Sequence, residues 1–403
     1  MNIPRQPIRT LVSPAGLIAV GLFIFISSAF IQKYLGLPGL AAYTAASVGA
    51  IWLSIWIFPR IANFVDRHFP IFLSLFAAGL AIIFAVVYPM ENGKKLGKSS
   101  DRDDGLNIAT ERLFAGESPY YPPNNPRAGP LSLLPGAILL AAPFKLFGNC
   151  AYQNVFWICA LIWALSKHWK NRAQALACVA LAFALCPALQ YEFISGGDML
   201  ANGIYITLFL VWSAKTWSTP EAHLGIRWLA VIMLGIGLAS RPNFLLVLPL
   251  LGGYLWQTAG WGRAITATSI SLAVAAVVTL PFYFHDPAAF SPWIAGNKLA
   301  LLNARYPQAD QWLKIVLLLT TLVMALHLMF TKKRPESTML FCYVTVAIAL
   351  PMMLVVILFS LSKGYVDFSF MHPRYGLMYL FVGFFAWKNF AAYPQGSPIA
   401  AKL

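Results

Sequence analysis

The chain has 403 residues, 59% of them hydrophobic and 11% charged, with 29 Lys and Arg against 14 Asp and Glu and a formal net charge of +15. Soluble globular domains carry about a quarter of their residues as charges, so this balance, with a mean hydropathy of +0.68, excludes that class and points to an integral membrane protein. The five cysteines, Cys150, Cys159, Cys178, Cys186 and Cys342, form no C-x-x-C pair and read as packing residues.

Apolar runs long enough to cross roughly 30 Å of hydrocarbon as helices recur from end to end. In chain order they fall near residues 14–31, 37–58, 70–89, 151–165, 173–189, 199–214, 228–238, 244–256, 265–283, 312–330, 338–361 and 375–387. The predicted fold is all-α: one polytopic unit over residues 1–403, with about twelve transmembrane helices and no soluble domain or clear repeat. The first run follows Arg5 and Arg9 and reads as a retained signal anchor. Arg60 and Arg67, Lys167 with Lys170 and Arg172, Lys215 and Arg227, Arg263, Lys332-Lys333-Arg334 and Lys388 fall in alternate loops. That bias places those loops and both termini on the cytoplasmic side. Cations scattered in this way mark topology and argue against nucleic acid as a partner.

Between the third and fourth runs lies a polar outer loop, residues 90–148. It holds six of the 14 acidic side chains: Glu91, Asp101, Asp103, Asp104, Glu111 and Glu117. Asp101-Arg102-Asp103-Asp104 precede a predicted amphipathic helix over residues 105–115, with Leu106, Ala109 and Leu113 on one face and Asn107, Glu111 and Arg112 on the other. Aspartates at such a place cap the helix and complement its dipole, worth roughly 0.5 to 2 kcal/mol, but three exceed what capping requires. In a chain so poor in charge the cluster reads as the seat of a general base, with crowded carboxylates raising one another's pKa and Arg102 lowering it. Asp101-Arg102-Asp103 also spells D-x-D, a metal-binding string of nucleotide-sugar enzymes. A divalent ion, Mg or Mn, is the one cofactor that string would suit, and three residues alone do not establish it.

Residues 131–147 look like a further span but carry Pro135 and Pro143 and end near Lys145. Were they to cross, every later basic cluster would change sides. A re-entrant or juxtamembrane helix within the outer loop is therefore predicted, with a proline-kinked span as the alternative.

Further along, Ser195-Gly196-Gly197-Asp198 and Asn202 open a span from an outer turn, where Asp198 is either an N-cap or a ligand. Ala239-Ser240-Arg241-Pro242-Asn243 breaks two apolar halves, and Arg241 is either a snorkelling helix-end cation or a phosphate ligand with Asn243 beside it. Met371-His372-Pro373-Arg374-Tyr375 enters the last span, offering a second cation and an imidazole, or an interfacial anchor. Asp286, Lys298 and Arg305 read as solvated loop charge. No Walker loop, HExxH, GxSxG or strand-bounded GxGxxG occurs, so ATP- and dinucleotide-dependent chemistry has no visible seat.

Together these segments resemble the GT-C superfamily of membrane glycosyltransferases. The likeness is to bacterial members with an acidic motif in an outer loop, a helix end carrying Ala, Leu, Gly and Pro-Tyr, and a proline-started apolar helix closing with Phe-Gly. Here these are Asp101 to Asp104, then Ala109, Leu113, Gly116, Pro119 and Tyr120, then Pro130 through Phe147-Gly148. Gly197-Asp198 resembles the second acidic position, Gly237-Leu238-Ala239-Ser240-Arg241 the break that ends in a cation, and His372-Pro373-Arg374-Tyr375 the Arg-Tyr entry to a late helix. The chain departs from the pattern in having three aspartates at the first site and three spans before the acidic loop where one is usual. The resemblance implies transfer of a sugar from a polyprenyl-phosphate donor to the hydroxyl of a lipid, glycan or protein acceptor. The reaction would be an inverting displacement at the extracytoplasmic face of the bacterial cytoplasmic membrane. It further implies that Asp101, Asp103 or Asp104 is the base and that Arg102, Asp198, Asn202, Arg241, Asn243, His372 and Arg374 bind substrate. The rival is a transporter or lipid-linked sugar flippase, which would place paired charges near the midplane and often show inverted repeats. A polysaccharide polymerase or ligase would favour a dominant late outer loop, and a membrane scaffold leaves the aspartates unexplained.

Overall fold

The computed structural model describes residues 14–93, 102–120, 131–292, 303, 305–368 and 376–387. Among them are 14 α-helices, two 3₁₀ turns and no strand, as expected where a bilayer leaves no water to satisfy open backbone groups. Helix α1, Pro14–Arg67, is two helices joined at Gly36, whose φ of 66° is a left-handed value that glycine adopts at little cost. Pro38, two residues on, suits the first turn of the second half. Helix α2, Phe69–Asn92, starts with proline and exposes Ile71, Leu75, Ile82 and Val86, an apolar surface fit for lipid tails.

The loop that follows is folded. Helix α3, Arg102–Phe114, begins earlier than expected, so that Asp103 and Asp104 lie in its first turn, where they complement the helix dipole. Its predicted faces hold: Leu106 and Ala109 are buried and Glu111 is exposed. Helix α4, Pro135–Lys145, has 11 residues, about 16 Å at helical rise, too short to cross a hydrocarbon core alone. Its entry is pinned by Leu134 N–H donating to the Ser240 carbonyl at 3.1 Å and Gly136 N–H to Ala239 at 2.7 Å. A Cβ at Gly136 would stand 2.1 Å from the Ile236 carbonyl oxygen. Helices α3 and α4 share a small core of their own, built on Leu106, Ala109, Tyr120, Leu134, Ile138 and Phe290.

After a 3₁₀ turn, Cys150–Tyr152, come α5 (Gln153–Trp169), α6 (Arg172–Leu185), α7 (Pro187–Ile194), α8 (Asp198–Ser218) and α9 (Leu224–Leu238). A second 3₁₀ turn, Pro242–Leu246, leads to α10 (Val247–Ala259), α11 (Trp261–His285), α12 (Ala309–Phe330), α13 (Ser337–Lys363) and α14 (Leu377–Ala386). Helix α8 is the hub, packed against α5, α7, α9, α10 and α14 and buried along most of its length. The main core gathers around it, with Tyr205, Leu210, Leu251, Phe341, Phe381 and Phe385 among its members.

Among the described residues, five helical stretches are long and apolar enough to cross a membrane: Phe23–Ser54 within α1, then α2, α11, α12 and α13. The pair α6 and α7 makes a sixth if its 89° bend at a short break is counted within one span. The chain is thus an all-α, multi-pass membrane protein, although this measure falls short of the twelve spans expected. Several runs that hydropathy counts as spans are short helices: α9 has 15 residues, α10 has 13 and α14 has 10. At 1.5 Å per residue these reach about 15 to 23 Å, and much of their apolar surface meets other helices.

Candidate functional site

Helix α3 presents Asp103 from its first turn, and the residue is 1% exposed. Tyr88, near the end of α2, donates its hydroxyl hydrogen to Asp103 Oδ2 at 2.6 Å. Asn149 Nδ2 in turn donates to Tyr88 Oη at 2.7 Å. Asn149 Oδ1 accepts from the Ala151 backbone N–H at 2.8 Å and from Asn107 Nδ2 at 3.1 Å, while Asn107 Oδ1 accepts from Cys150 N–H at 3.0 Å. The other carboxylate oxygen, Oδ1, is buried and has no hydrogen-bond partner of good geometry among the described residues. Burial pushes the Asp103 carboxyl up from 3.8 to about 6; the Tyr88 hydrogen bond acts against that rise, the neighbouring charge of Asp104 adds to it, and the backbone N–H groups of Asp104 and Asp103 weakly oppose it. Asp104 is half-buried. Asp101 and the side chain of Arg102 lie outside the described residues.

The turn between α7 and α8 closes over this carboxyl. Gly196 has φ of 66°, and a Cβ there would meet the Tyr88 ring at 2.8 Å, Ala151 Cβ at 2.8 Å and Asp103 Cβ at 3.1 Å. Glu192, fully buried, fills the space a Gly197 side chain would need: its Oε1 would be 2.2 Å from a Cβ at that position. The same oxygen accepts from the Met199 backbone N–H at 3.0 Å, meeting one of the free donors of α8. The Gly197 carbonyl accepts from Asn154 Nδ2 at 3.0 Å.

Asp198, the first residue of α8, points the other way and pairs with Arg241 Nη2. Asn202 Nδ2 donates to Asp198 Oδ2 at 2.6 Å, and Tyr205 Oη donates to Asn202 Oδ1 at 2.5 Å. Arg241 Nη1 donates to Ser132 Oγ at 3.0 Å, which ties the break after α9 to the chain entering α4. The contact observed for Asp198 is this ion pair, which is neither the N-cap nor the substrate ligand expected of it, and Glu192 meets one N–H at the start of α8. No family model, curated protein or solved structure matches this chain. The chemistry therefore rests on these contacts.

The expected site residues fall into two networks. Asp103 belongs with Tyr88 and Asn149; Asp198, Asn202 and Arg241 form the second; the 195–198 turn joins them. Arg241 is 6% exposed and its charge is shared with Asp198, though its Nε is buried without a partner among the described residues. Asn243 is turned away, donating to Tyr379 Oη on α14 at 3.2 Å. His372 and Arg374 lie outside the described residues. Among the described residues, no group of three or more His, Cys, Asp and Glu side chains is arranged to hold a metal ion.

Sequence reading missed Tyr88, Asn149 and the capping role of Glu192. Tyr88 sits at the end of an apolar run, where a tyrosine ordinarily reads as an interfacial anchor. A signal for Glu192 was present all the same: α8 opens on Gly197 without a side-chain cap of its own, so its free N–H groups must be met from elsewhere.

Proposed function

We propose that the protein is a membrane glycosyltransferase of the GT-C kind, moving a sugar from a polyprenyl-phosphate donor to an acceptor hydroxyl, with Asp103 as general base. The observation that carries this reading is the Asp103 carboxyl, buried, oriented by Tyr88 through one oxygen and left without a partner at the other. A carboxyl with a pKa of about 6 is ionised at neutral pH yet basic enough to take a proton in a transition state. In the displacement, the acceptor oxygen forms a bond to the anomeric carbon while its proton passes to Asp103 Oδ1. The bond from that carbon to the phosphate oxygen breaks, and the electron pair leaves with the polyprenyl phosphate. One concerted substitution inverts the anomeric centre.

The acidic loop with helices α3 and α4 then forms the extracytoplasmic cap of a bundle whose termini are cytoplasmic, and the donor's hydrocarbon tail stays in the bilayer. Arg241 contributes mainly by holding the 195–198 turn against Asp103, since most of its donors are committed to Asp198 and Ser132. The leaving phosphate is then left to Arg374, the other cation that the sequence pattern offers. No metal is used. A lipid-linked sugar flippase is the second reading, favoured by the buried Asp198–Arg241 pair, because buried ion pairs within membrane bundles often mark translocation paths.

The test is transfer from radiolabelled polyprenyl-phosphate sugars in membranes holding the wild type or the Asp101→Asn, Asp103→Asn and Asp104→Asn variants. Loss of a general base costs about 10²- to 10⁴-fold. Asp103→Asn should show that loss at unchanged expression, with smaller effects at the other two positions. Transfer that survives Asp103→Asn rejects the assignment. Sugar movement across the bilayer without a new glycosidic bond decides for the flippase.

A further inference from the structure

We infer that Tyr88, fixed by Asn149, is the positioning residue that occupies Oδ2 of Asp103 and so makes Oδ1 the atom that accepts the proton. This rests on the reading of Asp103 as a base, and it adds which oxygen acts and what orients it.

The argument is one of hydrogen-bond polarity. A backbone N–H can only donate, so Cys150 N–H fixes the Asn107 amide with its oxygen facing the backbone and its Nδ2 facing Asn149. Ala151 N–H fixes Asn149 in the same way: its oxygen already accepts twice, which leaves Nδ2 to donate to Tyr88. A phenol has one hydrogen. Having accepted from Asn149, Tyr88 directs that hydrogen at Asp103 Oδ2. A proton arriving at Oδ2 would face the phenol hydrogen, so protonation falls to Oδ1, which has no partner. Two backbone N–H groups in the turn Cys150–Tyr152 thereby set the orientation of a carboxylate on another element.

The Tyr88 ring has a packing task as well, stacked on Phe84 with centroids 4.6 Å apart and lying against Gly196. Tyr88→Phe keeps that packing and removes only the hydroxyl. Several ionisable groups surround this corner. They are Asp104 on α3, Glu91 on α2 near Tyr191, Glu192 and Asp198 of the 192–198 turn, Arg241 paired with Asp198, and the Lys145–Glu111 pair between α4 and α3. None of them changes in Tyr88→Phe.

The experiment is an infrared titration of the carboxyl band that disappears in Asp103→Asn, made on the full-length protein in nanodiscs, with transfer kinetics alongside. Losing a donor that favours the carboxylate should raise the Asp103 midpoint by about 1 pH unit or more in Tyr88→Phe, since an ionic hydrogen bond is the stronger kind. Asn149→Ala should move it the same way by less. In transfer, Tyr88→Phe should lower kcat about fivefold or more at pH 6 with KM within twofold, and most of the loss should be recovered by raising the pH. An unmoved midpoint in Tyr88→Phe overturns the inference, as does a kcat loss that no pH restores. If the midpoint moves while the wild type transfers no sugar, the orientation of Asp103 stands and the glycosyltransferase reading fails.

Discussion

The Asp198–Arg241 pair is the place where the fold and the proposed chemistry can be separated most sharply. Their side chains are 3% and 8% exposed, and the pair joins the start of α8 to the break after α9 and, through Ser132, to the entry of α4. Removing one partner of such a pair leaves a buried charge with its desolvation uncompensated, a cost of about 3 to 5 kcal/mol. Asp198→Asn strands the Arg241 cation; Arg241→Met strands the Asp198 anion, which keeps the Asn202 amide among its donors. The double variant buries neither charge. Its cost should fall well below the roughly 6 to 10 kcal/mol sum of the two singles, giving a coupling energy of at least about 3 kcal/mol.

Equilibrium unfolding of the four proteins in one detergent, repeated at low and at roughly 1 M salt, measures this coupling. A buried pair is screened little, so the coupling should be nearly unchanged by salt, in contrast to a surface pair. Additive single effects would refute the latch. Arg241→Met with native stability and a raised KM for the donor would show instead that the guanidinium serves the phosphate, as the sequence alone suggested.

Two other outcomes follow from the same geometry. For pH, the folded Asp103 carboxyl is raised, so between about 4 and 6 the folded protein binds more protons than the unfolded chain and stability falls as pH rises. Activity runs the other way: kcat should climb with pH through about 6 and level above it. Asp104→Asn, which removes a neighbouring negative charge, should move that limb to lower pH, opposite to Tyr88→Phe. For packing, Gly136→Ala drives a Cβ to 2.1 Å from the Ile236 carbonyl oxygen, and because the obstacle is backbone it should cost at least about 1 to 3 kcal/mol, read as a lower melting temperature; an unchanged value would mean that α4 does not dock on α9.

The broad architecture was legible because its causes are local. Pro135 and Pro143 announce a short helix in residues 131–147, and the 3.6-residue rhythm of Leu106, Ala109 and Leu113 announces α3. The number of spans was not, because hydropathy records how apolar a helix is and not whether its neighbour is lipid or protein. Helices α10 and α14 are as apolar as spans and yet have 13 and 10 residues. The run 173–189, expected as one span, contains Pro187, and the chain turns by 89° there between α6 and α7.

The site shows the same division at finer scale. That an aspartate of the 101–104 cluster matters could be argued from scarcity of charge; which one could not, because the choice depends on contacts distant in sequence. Asp103 is singled out by a tyrosine 15 positions earlier and by an asparagine beyond α4. Two of the other buried acids in this region have work that holds the fold. Glu192 meets a donor of α8, and Asp198 neutralises Arg241. A buried carboxylate oxygen without a partner carries an energetic penalty that a purely structural residue would relieve by reorienting. Asp103 is prevented from doing so by a chain of donors that ends in backbone N–H groups. That opposition, a costly orientation enforced from several elements at once, is what makes Asp103 a stronger candidate than a helix cap.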